Sequence, residues 1–183
     1  MTAQPGFSPD FAAGYCHMML DGVTRELEIT KKVLAAIPDA GKDYRHDPNG
    51  RTAWELAWHL ANTDVQFLDG IADLEFKMES PDAEHKPKSV AELVDWYDRN
   101  FKRAAARVAA LSPEQLLTPV EFFGVFNVPA VLYLGFLNNH SIHHRGALAT
   151  YLRPMGAKVP SIYGGSYDEP FQPAQTEPQT AAA

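Results

Sequence analysis

Apolar residues recur at helical spacing in four long stretches of this chain, separated by polar segments rich in proline, glycine and aspartate. In the first stretch Phe11, Tyr15, Met18, Met19, Val23, Leu27 and Leu34 fall near one side of a helix. Ser8-Pro9-Asp10 supplies its start, a capping serine followed by proline at the first helical position, and Pro38 and Gly41 stop it after about Ala36. Its internal Gly14 and Gly22 lower helix propensity and suit close approach to another helix. The second stretch opens on a capping box, Thr52-Ala53-Trp54-Glu55, and places Leu56, His59, Leu60, Thr63, Phe67, Ile71 and Leu74 together, ending near Met78 before Pro81. The third opens on Ser89-Val90-Ala91-Glu92, a second capping box, and carries Leu93, Trp96, Tyr97, Phe101 and Val108 to about Leu111. The fourth starts at Pro129 and ends around Leu152-Arg153, ahead of Pro154 and Gly156.

Between the third and fourth helices, Ser112-Pro113-Glu114 opens one helical turn. Val120 to Val128 is aromatic and β-prone, and reads equally as a short hairpin or an irregular extended crossover. Four helices of roughly 23–28 residues, each about 35–40 Å long, predict an all-α four-helix bundle. The long third link permits a topology other than simple up-down-up-down. There is no repeat and no domain-sized linker. Residues 1–7 read as a leader, 8–170 as one domain, and 171–183, with their proline, glutamine and terminal alanines, as a flexible tail.

Composition narrows the function classes. The chain has 183 residues, 45% hydrophobic and 21% charged, an ordinary globular balance able to bury a core. No apolar run reaches the roughly 18–20 residues needed to cross a bilayer, and Met1 to Asp10 lacks the pattern of a signal peptide. A soluble, cytoplasmic protein without a membrane partner is expected. Cys16 is the single cysteine, which excludes an intrachain disulfide and a thiolate-rich metal site. A net charge of -7, with lysine and arginine scattered, argues against a nucleic-acid partner.

The candidate chemistry lies in Asn139-His140-Ser141-Ile142-His143-His144-Arg145-Gly146. In a helix His140 and His144 stand one turn apart on the face that carries Tyr133, Leu137, Leu148 and Tyr151, which points inward. Buried imidazoles need partners, and a divalent metal would satisfy both at once. His143 competes for the same role, since a spacing of three also shares a face. His144 is preferred because it lies on the apolar stripe, while His143 points to its edge, as an exposed or substrate-facing group. His59, between Leu56 and Leu60, is the best third ligand, at a matching height if its helix packs antiparallel to the fourth. Alone it would read as a core histidine bonded to backbone or carboxylate. Three neutral imidazoles leave coordination positions open, as in catalytic sites, and suit Zn²⁺, Ni²⁺, Cu²⁺ or Fe²⁺, with Zn²⁺ and Ni²⁺ foremost.

Other residues carry weaker signals. Arg145 is a candidate cofactor or anionic-substrate contact, set against a structural ion pair. Gly146 suits close helix packing. Asn139, Asn62 and Asp64 are candidates for orienting a ligand histidine, the last two otherwise being solvated. Capping explains Glu55. Cys16 and His17 are adjacent and point about 100° apart, so they form no nucleophile pair. His46 and His85 fall in loops and are expected exposed. Phe122, Phe123, Phe126, Tyr163 and Tyr167 would roof a pocket or pack in the core.

Thr52 to His59 at the start of one helix, and His140-x-x-x-His144-Arg145-Gly146 followed by Leu152-Arg153-Pro154-Met155-Gly156 and Pro160, resemble the DinB/YfiT family over roughly residues 8 to 162. The resemblance implies an up-down-down-up bundle, a three-histidine metal site matched here by His59, His140 and His144, and frequent homodimers. It also implies relatives among thiol-dependent S-transferases and a mycothiol-dependent isomerase, in which the metal lowers the pKa of a low-molecular-weight thiol. The expectation is therefore a metal-dependent enzyme that handles a small-molecule substrate or thiol. Metal-dependent hydrolysis, or a non-catalytic metal-binding stress or structural role, is the alternative. A metal-free dimerisation scaffold is a third reading.

Overall fold

A computed structural model describes residues 7–78 and 86–171 of the chain. The expected leader and tail, apart from Phe7 and Phe171, lie outside the described residues, as does His85. Four long helices, α1 (Pro9–Ala35), α2 (Ala53–Asp73), α3 (Val90–Ala109) and α5 (Tyr133–Leu152), are joined by the short helix α4 (Pro113–Leu116) and the strands β1 (Pro119–Phe122) and β2 (Phe126–Pro129). Local chemistry fixes their starts. The side chains of Ser8, Thr52, Ser89 and Ser112 each accept a first-turn backbone N–H, and at Thr52 and Ser112 the reciprocal bond from Glu55 or Gln115 completes a capping box.

Two boundaries differ from the sequence expectation, and one alternative it left open is decided. Helix α2 ends at Asp73, five residues before Met78, because Leu74 turns left-handed (φ 56°) and sends its N–H back to the carbonyls of Gly70 and Ile71. The crossover resolves as an antiparallel hairpin, with Val120 opposite Val128 and Phe122 opposite Phe126, turning through positive φ at Phe123 and Gly124. Pro129 closes β2 instead of opening the last helix. A 3-10 turn, Ala130–Leu132, intervenes before α5.

Helix α1 packs on α3 and α5, and α2 packs on the same two, so α1 and α2 are diagonal in the bundle. Side-chain registers give the directions. Asp64 meets Tyr97, Asp69 meets Arg103 and Asp73 meets Arg107, so α2 and α3 run parallel. His59 meets His144 and Asp64 meets His140, so α2 and α5 run antiparallel. A Cβ at Gly135 would stand 3.2 Å from the Tyr15 hydroxyl, while Arg145, further along α5, reaches Glu26 and Thr30, so α1 and α5 run parallel. The topology is up-down-down-up. Leu27, Leu34, Leu60, Leu68, Ile71, Leu93, Phe101 and Leu137 fill the centre, each contributing about 1.5–3 kcal/mol by leaving water. Among the described residues no helix is long and apolar enough to cross a membrane.

Candidate metal centre

The antiparallel crossing of α2 and α5 puts His59 opposite the turn of α5 between His140 and His144. The His59 Nε2 lies 3.2 Å from His144 Nε2 and 3.3 Å from His140 Nε2, and nitrogens of all three rings lie within 4.8 Å of one another. Two nitrogens bound at about 2.0–2.1 Å to one tetrahedral ion would stand roughly 3.3–3.4 Å apart. The two short separations already match that edge.

The outer nitrogens explain why the inner ones face each other. His140 Nδ1 lies 2.9 Å from Asp64 Oδ1. An ionised carboxylate can only accept, so the proton sits on Nδ1 and the Nε2 lone pair points to the centre. His59 Nδ1 faces the Thr63 hydroxyl at 3.3 Å. Burial holds His59 down to about 4, helped by the positive charges of Arg51 and His140. Burial likewise holds His144 down to about 3, with His140 and His59 adding to it. Both rings are therefore neutral near pH 7, the form that binds metal. A divalent ion that accepts imidazole would satisfy all three facing nitrogens at once, and the donor set fits such an ion.

Asp64 is fully buried. Burial pushes its carboxyl up, while hydrogen bonds from His140, Tyr97 and Ser141 oppose that rise. The Tyr97 hydroxyl donates to its other oxygen at 2.7 Å, and burial next to this carboxylate raises the phenol well above its ordinary value. The polar groups continue through Ser141 and Thr30, 3.5 Å apart, to Arg145, whose Nη1 donates to the Thr30 hydroxyl at 3.0 Å. A polar belt thus runs from α2 through α5 to α1.

Beside the histidines lies a cavity of about 500 Å³, of the size small-molecule sites have. His59 belongs to both. Trp58, Phe67, Phe76, Met78, Phe122 and Phe123 give the cavity its apolar walls, and Arg51, Glu55, Asn62, Thr63, Gln66 and Lys77 its polar lining.

For Arg145 the sequence sets a cofactor or anionic-substrate contact against a structural ion pair, and the geometry is that of the ion pair. As a candidate cofactor contact it should face this cavity. Instead it is fully buried on the α1 side, ion-paired with Glu26 at 2.5 Å and bonded to Thr30, the Glu26 carbonyl and the Tyr163 hydroxyl. Its donors are held by the chain itself, which is the structural alternative.

His143 and Asn139 are exposed, although the His143 ring lies beside that of His144. Asn62 lines the cavity, and its side-chain oxygen is buried without a hydrogen-bond partner among the described residues. Glu55 serves the α2 cap. Cys16 is buried with its thiol pushed up by burial, and His17 is exposed. His46 is exposed beside Tyr44 and Tyr151. Of the five candidate roof aromatics, Phe122 and Phe123 line the cavity. Phe126 packs on Phe136, Tyr163 binds Arg145 and Glu26, and Tyr167 lies over Arg153. Sequence reasoning did not single out Tyr97, Arg51 or Phe76 for the site. For Tyr97 the one available signal was that a buried phenol needs a hydrogen-bond partner.

Comparison with known proteins agrees with this architecture. Residues 16–178 match the model of the DinB family. The uncharacterized protein YrdA of Bacillus subtilis (strain 168) is 28% identical over 148 residues, 79% of this chain and 85% of YrdA. Among solved structures, a DinB-like protein from Bacillus cereus ATCC 10987 superposes with a TM-score of 0.67 at 27% identity, covering 79% of this chain and 95% of that one. The DinB-like protein YjoA from Bacillus subtilis, at 21% identity and a TM-score of 0.64, shares the fold over 79% of this chain and 96% of its own. With nearly the whole bundle matched, and three converging histidines compatible with metal binding, the chain belongs to the DinB family.

Proposed function

We propose that this protein is a divalent-metal-dependent enzyme of the thiol-dependent S-transferase or isomerase type, with His59, His140 and His144 as metal ligands and Zn²⁺ or Ni²⁺ as the ion. The observation that carries the reading is the convergence of the ring nitrogens at 3.2 and 3.3 Å, with an outer nitrogen of His140 fixed by a buried carboxylate. When bound, the ion would act as a Lewis acid that lowers the pKa of a coordinated thiol or water. The chain's own residues do the rest. His59, His140 and His144 offer neutral lone pairs and leave positions open on the ion. Asp64 holds the His140 proton on Nδ1, so that ring cannot turn away. Phe67, Phe76 and Phe122 seat the apolar part of a small-molecule substrate and exclude water beside His59. Homodimerisation and a cytoplasmic location belong to the same proposal.

The test combines elemental analysis of the purified protein with a screen of low-molecular-weight thiols against electrophiles. His59→Ala, His140→Ala and His144→Ala should each lose bound metal and activity, while His143→Ala retains most of the metal. Metal retained by His144→Ala and lost by His143→Ala would refute the ligand set. A second reading, an ion that only braces the bundle, is favoured by the belt that ties the centre into the core. It predicts metal-dependent melting with no thiol or electrophile turnover. The cavity beside His59 argues for catalysis over bracing.

A further inference from the structure

We infer, building on the metal reading for the identity of the reacting centre, that the cavity beside His59 selects small molecules bearing a carboxylate on an apolar, ring-sized body, with Arg51 reading the charge. Three charged side chains line this cavity: Arg51, Glu55 and Lys77. Glu55 is engaged, accepting the Thr52 backbone N–H at 2.7 Å and facing Arg45 at 3.9 Å. Lys77 faces Glu75 at 3.5 Å. The Arg51 guanidinium has no ion-pair or hydrogen-bond partner among the described residues, although the Arg51 backbone is tied down, its carbonyl accepting from the Tyr151 hydroxyl at 3.4 Å. Its positive charge bears on His59 and His144, and also on the Glu55 carboxylate, which places it at the histidine end of the cavity.

The rest of the lining decides what accompanies the charge. Phe67 and Phe122 stack with centroids 5.6 Å apart and planes 5° from parallel, and Phe76 meets Phe122 edge-on at 4.9 Å. Together they form a flat apolar wall suited to a ring or a branched chain. The molecule as a whole carries a charge of -7, so its long-range field repels anions. That field is screened beyond about 8 Å at physiological salt. The Arg51 guanidinium, exposed along the cavity lining and in ion-pair contact with no carboxylate among the described residues although Glu55 feels its field, is then the local feature able to favour an anion, and its planar fork matches a carboxylate with two parallel hydrogen bonds. A ligand so held has its charged end at Arg51, its body on the phenylalanines and its remaining functional group beside His59.

Calorimetric titration of the full chain with hydrocinnamate and its neutral amide, hydrocinnamamide, tests this in chelator-treated and metal-loaded protein. The carboxylate should bind roughly tenfold more tightly than the amide in both preparations. Arg51→Gln should bring the two within about twofold while leaving the affinity for the amide unchanged. Lys77→Gln, whose ammonium already faces a carboxylate, should lower the ratio far less. The inference fails if neither probe binds, or if Arg51→Gln leaves the preference intact. A preference seen only with metal and indifferent to Arg51 would place the carboxylate on the ion, which overturns charge reading by Arg51 and leaves the metal centre standing. A preference lost in Arg51→Gln, in a protein whose metal content does not change in His59→Ala, would uphold Arg51 and refute the ligand set.

Discussion

Asp64 is the residue on which the geometry of the histidines leans. It is fully buried, it binds His140 at 2.9 Å and it receives the Tyr97 hydroxyl at 2.7 Å. Asp64→Asn should weaken metal binding about 10–100-fold, measured by competition with a chromophoric chelator. Tyr97→Phe should affect metal less, and should cost about 1–3 kcal/mol in urea denaturation by leaving a buried carboxylate short of a donor. The histidines also set a pH dependence. In the folded, metal-free protein His59 titrates at about 4 and His144 at about 3, against 6.5 in the unfolded chain. The unfolded chain therefore takes up more protons as pH falls below 6.5, so stability is full above that value and declines toward 4 and then 3. Urea midpoints of chelator-treated protein should fall through this window, and fall less steeply in His59→Ala. The inward register of His140 and His144 could be read from the spacing of four on an apolar stripe. The burial of Asp64 could not, because it depends on how α2 is rolled against α3 and α5.

At the scale of elements, the end of α2 shapes the cavity. Leu74 reverses the chain and lays Phe76 back over Gly70, where an added Cβ would stand 2.3 Å from the ring. Gly70→Ala gains about 1 kcal/mol of helix propensity but must displace Phe76 from the wall it forms with Phe122. A net loss of about 1–2 kcal/mol is expected from the overpacking, checked by denaturation, together with weaker binding of hydrocinnamamide. Nothing in the apolar periodicity marked this reversal, since Leu74 continues the helical stripe, and a leucine at positive φ carries no sequence signal. The hairpin was half legible: β-prone aromatics indicated extended chain, while the turn at Phe123-Gly124 lacks the Asn-Gly or Asp-Gly pair that identifies hairpins most reliably.

For the whole molecule, the candidate ion would bridge α2 and α5, two helices otherwise joined through apolar packing and the Asp64–His140 contact. Metal at about 100 times its dissociation constant should add about 2.7 kcal/mol to stability. Chelation should lower the melting temperature accordingly, and should do so little in His144→Ala. The number of helices and their capped starts followed from periodicity and from Ser8, Thr52 and Ser89. Helix directions did not, because amphipathic stripes are silent about which way a neighbour runs. Those came from the family resemblance, and in the structure they follow from side-chain registers.

Consecutive residues of α5 are pinned to different neighbours: His144 meets His59 of α2, and Arg145 is locked to Glu26 of α1. Deleting a single residue between Tyr133 and Asn139 would rotate everything downstream by about 100° and unseat both attachments together. Leu148 and Leu152 keep the rest of the helix anchored in the core, so length variation is confined to the segment after Leu152, and a library of insertions and deletions scored for soluble expression would show a sharp boundary there.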